Sequence, residues 1–208
     1  MALEVNGYLY DIFISYRNES DVQNWVINHF APLLKKKLEV LMPTGWTKTY
    51  KCYFVDKEGI QDGEYWKPKL ASTLIRSRIL VSVLTPNYFD SNWCMSEWAS
   101  FAKREELYRD NLNLSREQGL IFTVTYSDGK HFPEFAKEVQ SQQNFSKYTS
   151  TLPAFSHSAG VLEFEAAVQS FAQILADILE NINYWDENFP IEGQIKLPPA
   201  KINSNPKF

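Results

Sequence analysis

The amino-acid sequence predicts one α/β domain with a doubly wound, three-layer architecture around a parallel sheet. Apolar segments that favour strands alternate with stretches whose apolar residues recur at three- and four-residue spacing. The connections between successive strands are long enough for crossover helices, which parallel neighbours require. The chain has 208 residues and is 44% hydrophobic, which suits a single well-packed core. Together these features predict helices on both faces of the sheet.

The first third of the chain predicts a strand, a long helix and a second strand. Residues 8–16 form a nearly continuous apolar run, typical of a strand buried on both faces. A helical pattern extends over residues 21–38, and Pro32 inside it is expected to kink or divide the helix. The second predicted strand covers residues 50–56.

The middle of the chain repeats the alternation of helix and strand. In chain order the pattern predicts a helix at 66–75, a strand at 77–85, a helix at 94–108 and a strand at 119–126.

The last third of the chain is less regular. Residues 127–160 are polar and aromatic without a clear period, and the sequence does not order them. Helical spacing returns over 162–179. The domain is therefore predicted to span residues 1–183, and the proline-rich residues 184–208 are predicted to be a linker or a loosely docked arm.

Composition argues against several classes of function. The chain has 21 basic and 25 acidic residues, a formal charge of −4, and so lacks the excess of basic residues that is typical of a nucleic-acid-binding domain. The two cysteines, Cys52 and Cys94, form no CxxC pair and the three histidines are scattered, so no metal site is expected and a reduced, cytoplasmic protein is favoured. The longest apolar run, residues 79–84, falls far short of the roughly 20 residues of a membrane span, and no membrane association is expected.

The common nucleotide-binding signatures are absent from the sequence. It contains no GxGxxG, no GK[ST] and no GxSxG. In an open α/β sheet the ligand crevice lies beyond the carboxyl ends of the strands, where the strand order reverses. For a five-stranded order 2-1-3-4-5, that crevice opens between the first and third strands. Residues 15–17 and 85–87 emerge there, and the segment NWCMSEW (residues 92–98) follows closely.

Glu97 is the carboxylate that this argument singles out. On a helix its neighbours are Trp93, Cys94, Ser100 and Phe101, so the usual ion pair with a basic residue one turn away is missing. It is also misplaced for a capping box. A carboxylate beside aromatic rings and near a crevice is a candidate for a functional site, although solvated helix glutamates are the commoner case.

Three segments in order resemble a known family. They are YDIFISYR (10–17), FVDKEGIQDG (54–63) and SRILVSVLTPNYFDSNWCMSEW (77–98), the last ending in a W-C-x-x-E motif. Over residues 8–180 the chain resembles a TIR (Toll/interleukin-1 receptor) domain. The resemblance implies a flavodoxin-like, five-stranded parallel sheet in the order 2-1-3-4-5. Residues 39–50 and 127–160 look longer than the family pattern.

The resemblance also implies an activity. TIR domains with a tryptophan and a glutamate four residues apart are often NAD-cleaving enzymes, found in bacterial and plant immunity and in animal axon degeneration. It implies that Glu97 is catalytic and that Trp93 forms a pocket wall. Tyr16, Arg17 and Asp56 would lie near the nucleotide. Taken alone, Arg17 could equally be a surface residue, and Asp56 could end a strand or cap a turn.

The predicted function is that of an NAD+ nucleosidase that yields nicotinamide and ADP-ribose or a cyclic ADP-ribose, in bacterial antiphage immune signalling. The implied partners are NAD as substrate, other TIR domains and a separate effector protein that responds to the product. The alternative is a non-catalytic scaffold that assembles through residues 58–66, whose Tyr65 and Trp66 suit an interface or the start of the next helix. A receiver or nucleotide-binding domain is the third interpretation, with only Asp11 and Asp56 in its favour.

Overall fold

The computed structural model describes residues 7–42, 51–55, 66–115, 117–137, 139, 142–151 and 158–195. Within these ranges five parallel strands form one sheet in the order β2-β1-β3-β4-β5, which confirms the predicted order. The strands are β1 Tyr10–Tyr16, β2 Lys51–Val55, β3 Ser77–Leu84, β4 Ile121–Thr125 and β5 Gln142–Asn144.

The helices flank this sheet in two groups. The α-helices are α1 Ser20–Trp25, α2 Ala31–Leu41, α3 Trp66–Ile75, α4 Asn92–Tyr108, α5 Glu134–Lys137 and α6 Ala159–Leu179. Short 3₁₀ helices cover Pro86–Tyr88, Ser146–Tyr148 and Gly193–Ile195. Helix α2 packs against α6, whereas α3 and α4 both contact the Gly193–Ile195 turn. This grouping is that of a doubly wound domain.

The long helix at the N-terminal end is divided, as Pro32 predicts. Between α1 and α2 lies a π-helical turn, Val26–Phe30, in which the N–H of Ala31 donates to the carbonyl of Val26. Proline has no N–H to donate and its ring crowds the carbonyl of the fourth residue before it. The backbone accommodates both effects by widening one turn rather than by ending the helix.

Helix α4 begins earlier than its hydrophobic pattern indicates. It starts at Asn92, two residues before the predicted Cys94, because the Ser91 side chain caps it. Ser91 Oγ accepts the N–H of Cys94 at 3.3 Å. The cap satisfies one of the N–H groups that a helix start leaves without a partner.

An aromatic core orders part of the region that sequence periodicity left open. Trp25 is fully buried, stacks on Phe30 with ring centroids 5.0 Å apart, and donates its Nε1–H to the carbonyl of Tyr148 at 2.8 Å. Phe145, also buried, lies 6.1 Å from the Trp25 ring. Residues 142–144 therefore take their order from pairing with β4, and Phe145 and Tyr148 from contact with Trp25.

The predicted C-terminal arm is docked as far as it is described. Residues 184–195 follow α6 and pack on the domain, with Phe189 and Ile195 buried. The boundary at residue 183 stays a prediction. No helix in the described ranges is long and apolar enough to cross a membrane.

Candidate functional site

Glu97 lies on α4 with its carboxylate turned toward the end of β1. The residue is 6% exposed, and Ser15 Oγ donates a hydrogen bond to Glu97 Oε2 at 2.5 Å. Ser15 is paired with Ser82 on β3, so the contact lies near the carboxyl ends of the two strands between which the crevice was expected. The predicted proximity of residues 15–17 to this helix is confirmed at Ser15.

Tyr88 continues the hydrogen-bond network behind Ser15. Its hydroxyl lies 2.9 Å from Ser15 Oγ and 3.0 Å from Ser82 Oγ. Burial raises the pKa of Tyr88 well above its ordinary value, and the charges of Cys94 and Glu97 raise it further. Tyr88 therefore keeps its proton at neutral pH, and its hydroxyl connects Ser15 to Ser82.

Cys94 lies one turn before Glu97 and is not an activated nucleophile. Burial, followed by the negative charge of Glu97, raises the pKa of the Cys94 thiol to about 12. Hydrogen bonds to Ser91 and Ser15 and the positive charge of Arg17 lower it by less. Because the thiolate is the reactive form, a thiol with so high a pKa is chemically inert near neutrality.

Arg17 and Tyr16 occupy different environments at the end of β1. Arg17 is exposed just beyond the strand. Its positive charge lowers the pKa of Cys94, which lies one turn before Glu97. Tyr16 is buried, and since successive strand residues point to opposite faces, it leaves the sheet on the side away from Ser15. Asp56 lies outside the described residues.

Trp93 is half-buried one turn before Glu97 and faces a cation from another helix. Lys67 Nζ, on α3, lies 5.5 Å from the centroid of the Trp93 ring. A cation at this distance over an indole is attracted by the ring's negative face. Trp93 and Glu97 thus lie in the first two turns of α4, and Lys67 from α3 contacts the Trp93 ring.

A family model described as TIR domain matches residues 12–116, half of the chain. This chain belongs to the TIR domain family.

Two solved TIR structures match this chain at low sequence identity. The TIR domains of the activated Roq1 resistosome, which recognises the pathogen effector XopQ, are 22% identical, with 78% of this chain and 83% of that chain covered and a TM-score of 0.34. The TIR domain of the Toll-related receptor TRR-2 from Hydra magnipapillata is 16% identical, with 76% and 98% covered and a TM-score of 0.41.

Helix α4 of this TIR domain carries a second glutamate, the half-buried Glu105, which has a different role. Glu105 Oε1 accepts the backbone N–H groups of Leu120 and Ile121, at the start of β4. Burial raises the pKa of Glu105, while the two backbone hydrogen bonds and the charge of Arg109 lower it. These partners are main-chain donors at the amino end of a strand, so Glu105 acts as a structural cap.

A cavity of about 750 Å³ lies along the same flank of the TIR domain as Glu105. Its lining includes Trp98, Phe135, Gly119 and Ile178, and it does not include Glu97 or Trp93. The cavity reaches the amino end of β4, whereas ligands of open α/β sheets bind at carboxyl ends. The cavity therefore does not coincide with the crevice expected between β1 and β3. Among the residues described, no cluster of three or more His, Cys, Asp or Glu side chains suits a metal ion.

Three contributors to the site were not among the predicted site residues of this TIR domain. Ser15 and Tyr88 contact the carboxylate directly or through one hydroxyl, and Lys67 contacts the Trp93 ring. Ser15 had a positional signal, because it was expected to emerge at the crevice. Tyr88 and Lys67 had none, since serine, tyrosine and lysine side chains are common and only the fold brings these together.

Proposed function

We propose that this TIR domain is an NAD+ nucleosidase that cleaves the nicotinamide–ribose bond, with Glu97 as the catalytic carboxylate. The observation that carries the proposal is the burial of Glu97 near the carboxyl ends of β1 and β3, where Ser15 holds it. A buried acid held by a hydroxyl near the carboxyl ends of the strands is typical of a functional group.

The chemistry of NAD explains why a single carboxylate is enough. Ordinary glycosidases use one carboxyl group to protonate the leaving oxygen and a second as nucleophile or base. Nicotinamide is attached as a pyridinium and departs neutral, because the electrons of the broken C1′–N bond neutralise its ring nitrogen. No general acid is needed. Positive charge then develops on the ribose, and a fixed carboxylate beneath it stabilises that charge.

The remaining predicted residues would bind and shield the nucleotide. Trp93 offers a ring face and excludes water, which strengthens the field of Glu97. Arg17 is exposed and suits the pyrophosphate, since a guanidinium matches phosphate oxygens in pairs. Tyr16 and Asp56 are proposed near the nucleotide on the family resemblance alone.

The ribosyl cation has two routes to product. A water molecule that bonds to C1′ and releases a proton gives ADP-ribose. A nucleophilic atom of the same nucleotide that bonds to C1′ gives a cyclic ADP-ribose and likewise releases any proton it carried. Either product would serve bacterial antiphage signalling in the cytoplasm through a separate effector protein, and activity is proposed to depend on TIR–TIR association.

The test is release of nicotinamide from NAD by the purified protein at high concentration or with a crowding agent. Glu97→Gln is expected to lower the rate about 10²–10³-fold, as loss of one preorganised electrostatic group does. Glu105→Gln is the control, because it makes the same change at a half-buried glutamate on the same helix. Equal activity in wild type and Glu97→Gln would reject the mechanism.

A different outcome would support the scaffold alternative. If the wild type never consumes NAD but self-associates, and if substitutions in residues 58–66 abolish that association, the domain signals by assembly. Residues 58–65 lie outside the described ranges, so this alternative rests on the sequence alone.

A further inference from the structure

Residues 184–195, here called the C-terminal strap, are anchored to the domain at their start by two long-range hydrogen bonds. The Tyr8 hydroxyl donates to the carbonyl of Tyr184 at 2.6 Å. The indole Nε1–H of Trp185 donates to the carbonyl of Ile75, the last residue of α3, at 3.2 Å. Both bonds join the strap to residues that precede β1 or end α3.

The middle of the strap is anchored by burial against a charged side chain. Phe189 is 2% exposed, and the guanidinium carbon of Arg104 lies 4.2 Å from its ring centroid. Arg104 itself is fully buried on α4 and donates to the carbonyls of Leu74 and Ser77 at 2.8 Å each. The strap therefore covers a cation that links α4 to the end of α3.

The end of the strap bonds directly to the helix that carries Glu97. The backbone N–H of Gln194 donates to Ser96 Oγ and that of Glu192 to Ser100 Oγ, each at 2.9 Å. The two hydroxyls donate onward along α4: Ser96 to the carbonyl of Asn92 at 2.5 Å, and Ser100 to that of Ser96 at 2.7 Å. Each hydroxyl thus connects strap backbone to helix backbone.

Two glycines with positive φ lie where the strap meets the domain. Gly193, at φ 62°, lies in the strap, and a Cβ there would clash with Ser96 Oγ. Gly7, at φ 86°, lies before β1, and a Cβ there would clash with the ring of Trp185. Both positions combine a left-handed backbone with a close approach, and glycine satisfies both requirements.

We infer that the strap positions α4, and that Ser96 and Ser100 are positioning residues for Glu97. Ser96 immediately precedes Glu97 and Ser100 follows it by about one turn, so Glu97 is held by Ser15 on one side while the strap fixes its helix on another. This inference rests on the proposed function. Misplacement of a catalytic group by about 1 Å can cost roughly 10²-fold in rate.

The first experiment measures the position of α4 without any reference to NAD. Cys94 is 4% exposed and lies one turn from Glu97. When Cys52 is replaced by serine, Cys94 is the one thiol left, and the rate at which a disulfide reagent such as DTNB labels it reports opening of the first turns of α4. Gly193→Ala is expected to speed labelling roughly tenfold, because the added Cβ displaces the strap and makes local opening more frequent. Gly129→Ala is the control: its φ is 70°, yet its nearest neighbours would lie 3.6 Å away.

The second experiment removes the strap's acceptor and measures catalysis. Ser96→Ala is expected to speed Cys94 labelling and to lower kcat for nicotinamide release with little change in KM, as loss of transition-state alignment does. Ser170→Ala is the matched control, because Ser170 Oγ also donates to the carbonyl four residues back, at 3.0 Å, on α6. Circular dichroism confirms that each variant is folded.

The outcomes separate this inference from the proposed function. Unchanged labelling of Cys94 in folded Gly193→Ala and Ser96→Ala would overturn the inference. So would faster labelling with kcat no lower than in the two controls. Faster labelling in a protein whose wild type releases no nicotinamide would support the strap's hold on α4 and overturn the proposed function instead.

Discussion

Ser15 Oγ and Glu97 Oε2 lie 2.5 Å apart, and this hydrogen bond joins the end of β1 to the second turn of α4. Both residues are buried, and the Tyr88 hydroxyl closes the network behind Ser15. A carboxylate oxygen that accepts a hydrogen bond from a fixed hydroxyl is held in place. The position of this carboxylate is therefore set by a residue of the sheet and not by its own helix alone.

Ser15→Ala is expected to lower the free energy of unfolding by about 1.5–3 kcal/mol, the range for a hydrogen bond to a charged group. Ser77→Ala is the matched control, because Ser77 is equally buried but donates to a neutral carbonyl, that of Thr73, at 2.8 Å. Its loss is expected to be about 0.5–1.5 kcal/mol. Urea unfolding measures both variants. Equal losses in the free energy of unfolding would show that the hydrogen bond from Ser15 to Glu97 is no stronger than one to a neutral carbonyl.

Arg17→Ala is expected to raise the KM for NAD roughly tenfold or more, since a hydrogen bond to a charged group is worth about 1.5–3 kcal/mol. Arg17→Lys keeps the positive charge but loses the paired hydrogen-bond geometry, so its KM for NAD should lie between those of the wild type and Arg17→Ala. Because Arg17 is exposed, the thermal midpoint should not change. Lys147→Ala removes an exposed charge elsewhere and is the control. An unchanged KM in Arg17→Ala would remove Arg17 from the binding site.

Cys94 should make the folded protein less stable at alkaline pH. Its pKa is raised from 9.0 to about 12, so the unfolded chain loses this proton first. The stabilisation is complete below about pH 9 and is lost as the pH rises toward 12. Between pH 8 and pH 10, wild type should lose about 1 kcal/mol more than Cys94→Ala, at up to ~1.4 kcal/mol per pH unit.

Urea titrations of both proteins at the two pH values check this. Tyr88 is present in both proteins, and because burial is the largest cause of its raised pKa, it adds a similar loss of stability to each. A parallel decline in the two proteins would place the Cys94 thiol in a more solvated environment than the structure does.

Local patterns in the sequence were sufficient to predict most of the fold. The apolar run before Arg17 and the segment ending at Leu84 are both strands of the sheet. The strand order, which the structure confirms, came from the family resemblance and not from these patterns. Pro32 predicted the irregular turn that precedes it. Glu97 could be selected from the sequence because the absence of a basic partner one turn away is a local property.

Only the tertiary structure decided how that carboxylate is held. The bond from Ser15, the approach of Lys67 to Trp93 and the docking of the strap on Ser96 each join residues from separate elements. Hydrophobic periodicity cannot predict such pairs, because it indicates which face of a helix or strand is buried but not which residues that face contacts. The strap is the clearest case. The prolines of residues 184–208 predict a linker or a loosely docked arm, and only the structure shows that burial of Phe189 and two backbone hydrogen bonds to α4 hold the strap on the domain.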